Sequence, residues 1–221
     1  KRVLLLGMGN RENLDTEKTR NLTGKVVNKA KELAISEFVL DTFDEMDEDH
    51  LSAIVEGIKL SNYSFSNYKK DEDKFELNQV RILTRVDLAS NQKVIQRSSI
   101  ISDAVILTRD ISNLPPNDCA PKDLANFAGK LSANKKTKVR VIDEQELEAN
   151  GFGGIMAVGK GSTNSPKLII IEYSGSPQDE KPVVIVGKAV TFDTGGISIK
   201  PPDKMEEMKF DKCGGCNVLG I

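Results

Sequence analysis

Short apolar runs alternate along this chain with longer stretches that repeat apolar residues at helical spacing, and few architectures accept that order. "RVLLLGMG" reads as a buried strand closing in a glycine turn. "NLDTEKTRNLTGKVVNKAKELAI" reads as a helix, with Asp15 or Thr16 as its cap and Leu22, Val26, Ala30 and Leu33 on one face. "EFVLDTF" is a second short strand. "DEDHLSAIVEGIKLSNYSF" is a second helix, with Leu51, Ile54, Val55 and Ile58 at helical spacing, and "ELNQVRILTRV" is a third strand. This order predicts an α/β layered domain with a largely parallel sheet.

The pattern then changes. Val94, Ile95, Ser98, Ile101, Ala104, Val105 and Leu107 fit a long helix ending before Pro115-Pro116. The expected organisation is an amino-terminal α/β domain over 1–93, a linking helix over 94–113, and a second α/β domain over 114–221. In the second domain "APKDLANFAGKLSA" reads as a helix with Pro121 in its first turn. "KVRVIDEQEL" is a strand running into a helix, and "GGIMAVGKGST" is a glycine-rich turn region. "PKLIIIEYSG" and "KPVVIVGKAVTF" are two strongly apolar strands.

With 221 residues the chain has length for a sizeable core. Its net charge of −2 gives no reason to expect a nucleic-acid or membrane partner. No apolar run approaches the roughly 18 residues of a membrane span. Three cysteines (Cys119, Cys213, Cys216) are too few for a disulfide framework, which favours a reducing cytosol. No secretory leader is visible, and both ends read as cuts through structure, so a fragment is expected.

"GKAVTFDTGGISIK" (187–200) carries the chemistry. Lys188 follows the apolar run 183–186, where an ammonium is costly to bury without a partner. Taken alone, Lys188 and Asp193 fit a lysine snorkelling from a strand end and an aspartate capping a turn. Asp193, however, falls at the carboxyl end of the predicted strand, where α/β sheets place their sites. Gly195-Gly196 permits close backbone approach, and Lys200 and Asp211 follow soon after. A phosphate loop is a poor match: the Gly-x-x-x-x-Gly-Lys-Ser/Thr order is missing, and Asp193 would repel phosphate. "CGGC" lacks the strand-to-helix setting of a redox pair and the four ligands of a structural zinc, so small residues for close helix packing are expected there. His50 reads as a solvated helix residue.

The segment "VGKAVTFDTGGISIKP", followed by "MEEMKFDKCGG", resembles the signature region of the leucyl (cytosol) aminopeptidase family. That pattern runs close to Gly-Lys-Gly-x-Thr-Phe-Asp-Ser-Gly-Gly-x-x-x-Lys, then Met-Lys-x-Asp-Met. "RDISNLPPNDCAPKDLA", "GFGGIMAVGKGSTNSPKLIIIEY" and "EGIKLSNYSFSNYKK" extend the similarity over about residues 50 to 221. The resemblance implies a macro-like amino-terminal α/β domain and the first part of an α/β metallopeptidase catalytic domain. It implies that Lys188, Asp193 and Asp211 hold two divalent metal ions, with Asp193 bridging, and that Lys200 is catalytic and faces the substrate carbonyl. Lys200, Asp211 and Met208 would contact substrate, with Phe210 nearby. Departures from the pattern include Thr194 for serine, Lys212 for methionine, and Gly215 and Cys216 for small alanines. Lys212 puts a charge where packing is expected.

The chemistry agrees. An amine binds a metal only when neutral, and two adjacent dications can lower its pKa. Paired ions activate a shared water and polarise a carbonyl, while the Lys200 ammonium would stabilise the oxyanion. Zinc or manganese, and also magnesium or cobalt, suit two carboxylates and an amine. Asp193 and Asp211 alone leave two dications under-neutralised. In the family the remaining carboxylates come from a downstream Asn-Thr-Asp-Ala-Glu-Gly-Arg segment, whose arginine also holds a bicarbonate. This chain ends before it, and Glu206 and Glu207 are expected to face solvent. The implied parent is a cytoplasmic homo-hexameric enzyme acting on peptides, and this piece alone is expected to be inactive. The rival reading is a non-catalytic binding protein of the same fold.

Overall fold

A computed structural model describes residues 2–42, 46–70, 75–83, 88–176 and 180–221. The chain divides into two compact units, Lys1–Leu107 and Thr108–Ile221.

In the first unit, α1 (Thr16–Glu32) is capped by Asp15, whose carboxylate accepts from the Lys18 N–H at 2.7 Å. β1 (Glu37–Asp41) pairs in parallel with β2 (Gln79–Leu83), with Leu40 opposite Ile82. α2 (Glu48–Asn62) lies between them in sequence, giving a strand–helix–strand unit. Leu40 and Ile82 pack with Met46, Leu51, Ile54, Ile58 and Val94. α1 and α2 approach closely at glycines: a Cβ on Gly57 would meet the Arg20 carbonyl oxygen at 2.6 Å. The expected α2 face is therefore observed. On α1, Val26 and Ala30 are buried but Leu33 is exposed, because it is already the C-cap.

"RVLLLGMG" is not a strand. Its backbone pairs with no described strand, and Val3 and Leu5 are largely exposed. An apolar run becomes a strand only where another edge accepts its N–H and C=O groups. The ends of two other predicted segments, Phe43 and residues 84–86, lie outside the described residues.

The long helix is α3 (Leu88–Asn113), which begins earlier than expected and stops before Pro115-Pro116. The division between the units falls inside it.

In the second unit, α4 (Pro121–Leu131) starts at Pro121, and the Asp123 carboxylate accepts from the Ala120 N–H at 2.9 Å. β3 (Thr137–Ile142) pairs antiparallel with β4 (Leu168–Tyr173). Side chains of β4 alternate between two cores. Ile169 and Ile171 pack with Ile111, Cys119, Leu124, Ala128, Cys216 and Leu219. Leu168 and Ile170 pack with Ile142, Leu147 and Met156. A strand covered on both faces needs no polar alternation, which explains "LIII".

Leu147 belongs to α5 (Glu144–Ala149), and Met156 to α6 (Gly153–Gly159). The expected turn at "GGIMAVG" is thus a helix. Ile155 and Met156 are set against the sheet by packing that outweighs the poor helix propensity of its glycines.

The segment 181–190 departs from expectation too. It pairs with no described strand, and Val183 and Val186 are almost wholly exposed. The only sheet of this unit among the described residues is β3–β4. The chain continues through a loop into a 3-10 segment, Met205–Lys212, and then α7 (Cys213–Gly220). Among the described residues no helix is long and apolar enough to cross a membrane.

Candidate metal centre

Asp193 and Lys200 are brought together by the loop between them. Gly195 (φ +90°) and Gly196 (φ +75°) both adopt left-handed backbone that favours glycine. The reversal lets Lys200 N donate to the Thr194 carbonyl at 2.8 Å. It also lets the Lys200 ammonium donate to Asp193 Oδ2 at 2.8 Å. The Gly195 N–H holds the other oxygen, Oδ1, at 2.8 Å. The Lys200 hydrogen bond, followed by that of Gly195, keeps the Asp193 carboxyl below the usual aspartate value. Lys200 Nζ also donates to Met208 Sδ at 3.0 Å, so Met208 is beside the lysine.

Lys188 and Asp211 form a second pair, Nζ to Oδ1 at 2.7 Å. The hydrogen bond to Asp211 raises Lys188 above the ordinary lysine value, and the charge of Asp193 adds to this. Asp193 in turn feels the charge of Lys188, which relates the two pairs electrostatically. Asp211 Oδ2 is buried and has no hydrogen-bond partner.

Backbone packing sets the second pair. The Gly215 N–H donates to the Lys188 carbonyl at 2.6 Å. Gly187 leaves no room for a side chain, since an added Cβ would lie 2.8 Å from the Gly215 Cα. A Cβ on Gly215 would lie 2.5 Å from the Cβ of Ala189. Ala189 stands at a glycine of the signature pattern and Gly215 at one of its alanines, so a single methyl is kept between the two backbones. "CGGC" thus serves close packing, with Cys216 fully buried. Burial pushes the Cys119 thiol up to about 11 and raises Cys216 as well.

All five expected residues are accounted for: Lys188 with Asp211, and Asp193 with Lys200 and Met208. They do not sit at a strand end, because 183–186 is not a strand. Among the described residues no three His, Cys, Asp or Glu side chains converge, so the candidate donors are two aspartates and a lysine. Glu206 and Glu207 face solvent, while Phe210 is exposed with Lys209 Nζ 4.9 Å from its ring centre. His50 is not simply solvated. Its Nδ1 is 2.5 Å from Asp47 Oδ1, and its Nε2 is 3.2 Å from the Leu14 carbonyl.

The residue with the least legible placement is Lys212. Its side chain is fully buried, and its ammonium donates to the carbonyls of Ser112 (3.0 Å), Leu114 (2.8 Å) and Lys209 (2.5 Å). A charge at a packing position is visible in the sequence. Its carbonyl acceptors at the end of α3 are not.

The second unit thus combines a mixed helix–strand fold with two lysine–aspartate pairs, one of them closed by a glycine loop. Residues 106–221 match the model for the cytosol aminopeptidase family catalytic domain, and residues 1–72 match that family's N-terminal domain. The chain belongs to the cytosol aminopeptidase family. It is 42% identical over its whole length to a probable cytosol aminopeptidase of Cenarchaeum symbiosum (strain A), covering 45% of that protein. It is 38% identical to the cytosol aminopeptidase of Pseudomonas aeruginosa strain PAO1, with 99% of this chain and 46% of that protein covered. The chain therefore spans about half the length of the curated relatives it matches. Among solved structures, the bottromycin maturation enzyme BotP in complex with Mn shares the fold, with a TM-score of 0.80 at 24% identity. That match covers 97% of this chain and 45% of BotP.

Proposed function

We propose that the protein containing this chain is a metal-dependent aminopeptidase that removes amino-terminal residues from peptides. In this reading Lys188, Asp193 and Asp211 hold two divalent ions, with Asp193 shared, and Lys200 is the catalytic lysine. The observation that carries it is the pairing of these four side chains in two ion pairs that feel each other's charge, with the second carboxylate oxygen of Asp211 buried and unpartnered. Such an oxygen is costly to leave unpaired, and its environment suits a cation. Two carboxylates and an amine fit zinc or manganese, and also magnesium or cobalt. The solved structure of BotP with Mn shares the fold, so manganese is among the ions to test.

When bound, a pair of divalent ions lowers the pKa of water and polarises a carbonyl. The chain's own residues do the rest. The Gly195 N–H orients Asp193 so that its carboxylate faces the cluster. Lys188 would hold an ion through a neutral Nζ, which requires that its ammonium proton be released to solvent. In this reading Lys200 Nζ, now on Asp193 Oδ2, would donate to the carbonyl oxygen of the scissile bond as negative charge develops there. Met208, beside Lys200, lines the space for the substrate's first side chain, and Asp211 contributes to substrate binding. We further assign the protein to the cytosol as a homo-hexamer, with bicarbonate assisting proton transfer.

The test is hydrolysis of an aminoacyl chromogenic substrate by the full-length protein with added Mn²⁺ or Zn²⁺. Metal-dependent turnover supports the reading. Metal and peptide binding without turnover would instead indicate a non-catalytic binding protein.

A further inference from the structure

Lys212 immediately follows Asp211 and is fully buried. An ammonium has three N–H donors, and each is taken by a backbone carbonyl: Ser112, Leu114 and Lys209. Ser112 lies in the last turn of α3 and Leu114 just beyond it, where carbonyls lack intrahelical partners and a cation is favoured. The third acceptor, Lys209, belongs to the 3-10 segment that carries Met208 and Asp211. One side chain therefore ties that segment to the end of α3.

Beyond the Gly215 contact with the Lys188 backbone, the Asp211 side chain is held by an ion pair. Among the described residues its side-chain partner is Lys188, whose own side chain is 63% exposed. Its Oδ2 has none. If Lys188 leaves the ion pair to become a ligand, the position of Asp211 depends on the backbone on either side of it.

We propose that Lys212 is a positioning residue for Asp211, fixing the place of its carboxylate by clamping the 205–212 segment to the C-terminal end of α3. The inference rests on the metal-holding role proposed above for Asp211. Lys212→Met keeps the side-chain volume and removes all three donors. Lys212→Gln retains two N–H donors for the same carbonyls and serves if the methionine variant does not fold. Leu124→Ala loosens the same core without touching the clamp.

The experiment is a titration of metal-free full-length protein with Mn²⁺, followed by electron paramagnetic resonance, at a temperature below every variant's thermal midpoint. Asp211→Asn is run beside the other variants. The expected result is a loss of Mn²⁺ affinity of about 10–100-fold in Lys212→Met, as for other groups that support a ligand. A smaller loss is expected in Lys212→Gln and none in Leu124→Ala, although Leu124→Ala lowers the thermal midpoint. If Asp211→Asn loses Mn²⁺ but the folded Lys212 variants bind like wild type, Lys212 is only structural and the inference is overturned. If Asp211→Asn binds Mn²⁺ normally, the metal reading itself fails and the inference fails with it.

Discussion

Lys188 and Asp211 meet at 2.7 Å because a glycine contact holds the backbones that carry them. Gly215 donates to the Lys188 carbonyl, and one residue further along, Ala189 fills the space that an alanine at 215 would need. A glycine at 215 and an alanine at 189 therefore fit together in this chain.

The Ala189–Gly215 contact is testable by a double-mutant cycle. Gly215→Ala alone should destabilise the protein by about 1–3 kcal/mol through overpacking, partly offset by alanine's better helix propensity. Combining it with Ala189→Gly should recover most of that loss. Urea unfolding of the two single variants and the double variant measures the coupling. Additive single effects would show that the two sites do not share the space.

The ion pairs separate two kinds of variant in the full-length protein. Lys200→Ala should lower turnover by about 10²–10³, as for loss of one oxyanion donor, while metal content stays near normal. Asp193→Ala should lower metal content and activity together. Turnover and metal analysis on the same samples check both, and equal metal loss in the two variants would count against the separate roles.

Much of the scaffold was legible because its signals are local. Asp15 before α1, the Leu51–Ile54 face of α2 and the prolines after α3 each act within a turn or two. The failures were long-range. "RVLLLG" and "VVIV" have strand composition, but a strand also needs a partner edge, and nothing within either run reports whether one exists. "GGIMAVG" has turn composition, yet the sheet surface offered to Ile155 and Met156 makes it a helix. At the site, the glycine pair and the lysine–aspartate spacing marked the residues that come together. The Lys212 clamp was out of reach because its acceptors are backbone carbonyls far away in sequence.

Burial gives the cysteines a chemical signature. Cys119 and Cys216 are fully buried, and burial raises both thiols, Cys119 to about 11. Neither should react with iodoacetamide at pH 8 in the folded protein, and both should react fully in denaturant. Mass spectrometry of the labelled peptides reads this directly. Rapid native labelling of Cys119 would contradict the packing of the second unit's core.

His50 and Asp47 give the first unit a pH dependence. Burial works against the His50 charge, but the Asp47 hydrogen bond, the Leu14 carbonyl and the charges of Asp47 and Asp49 leave it raised above its ordinary 6.5. Its contribution is therefore full below pH 6.5 and is lost as pH rises through the raised value. Asp47 is lowered from 3.8 by the His50 backbone N–H and then by the ring, so its contribution is present above 3.8 and is lost on further acidification. The pair should stabilise most between these two values, by less than about 1 kcal/mol because Asp47 is well exposed. Comparing urea midpoints of wild type and His50→Gln at pH 5.5 and 8.5 should show a difference only at the lower pH.

The proposed role of Lys188, Asp193 and Asp211 is to hold a pair of metal ions. Anomalous diffraction from crystals of the full-length protein loaded with Zn²⁺ tests it most directly. Two adjacent peaks are expected, with Lys188 Nζ and carboxylate oxygens of Asp193 and Asp211 at about 2.0–2.2 Å from them and Asp193 touching both. Peaks elsewhere, or Lys188 still paired with Asp211 in the loaded protein, would contradict it.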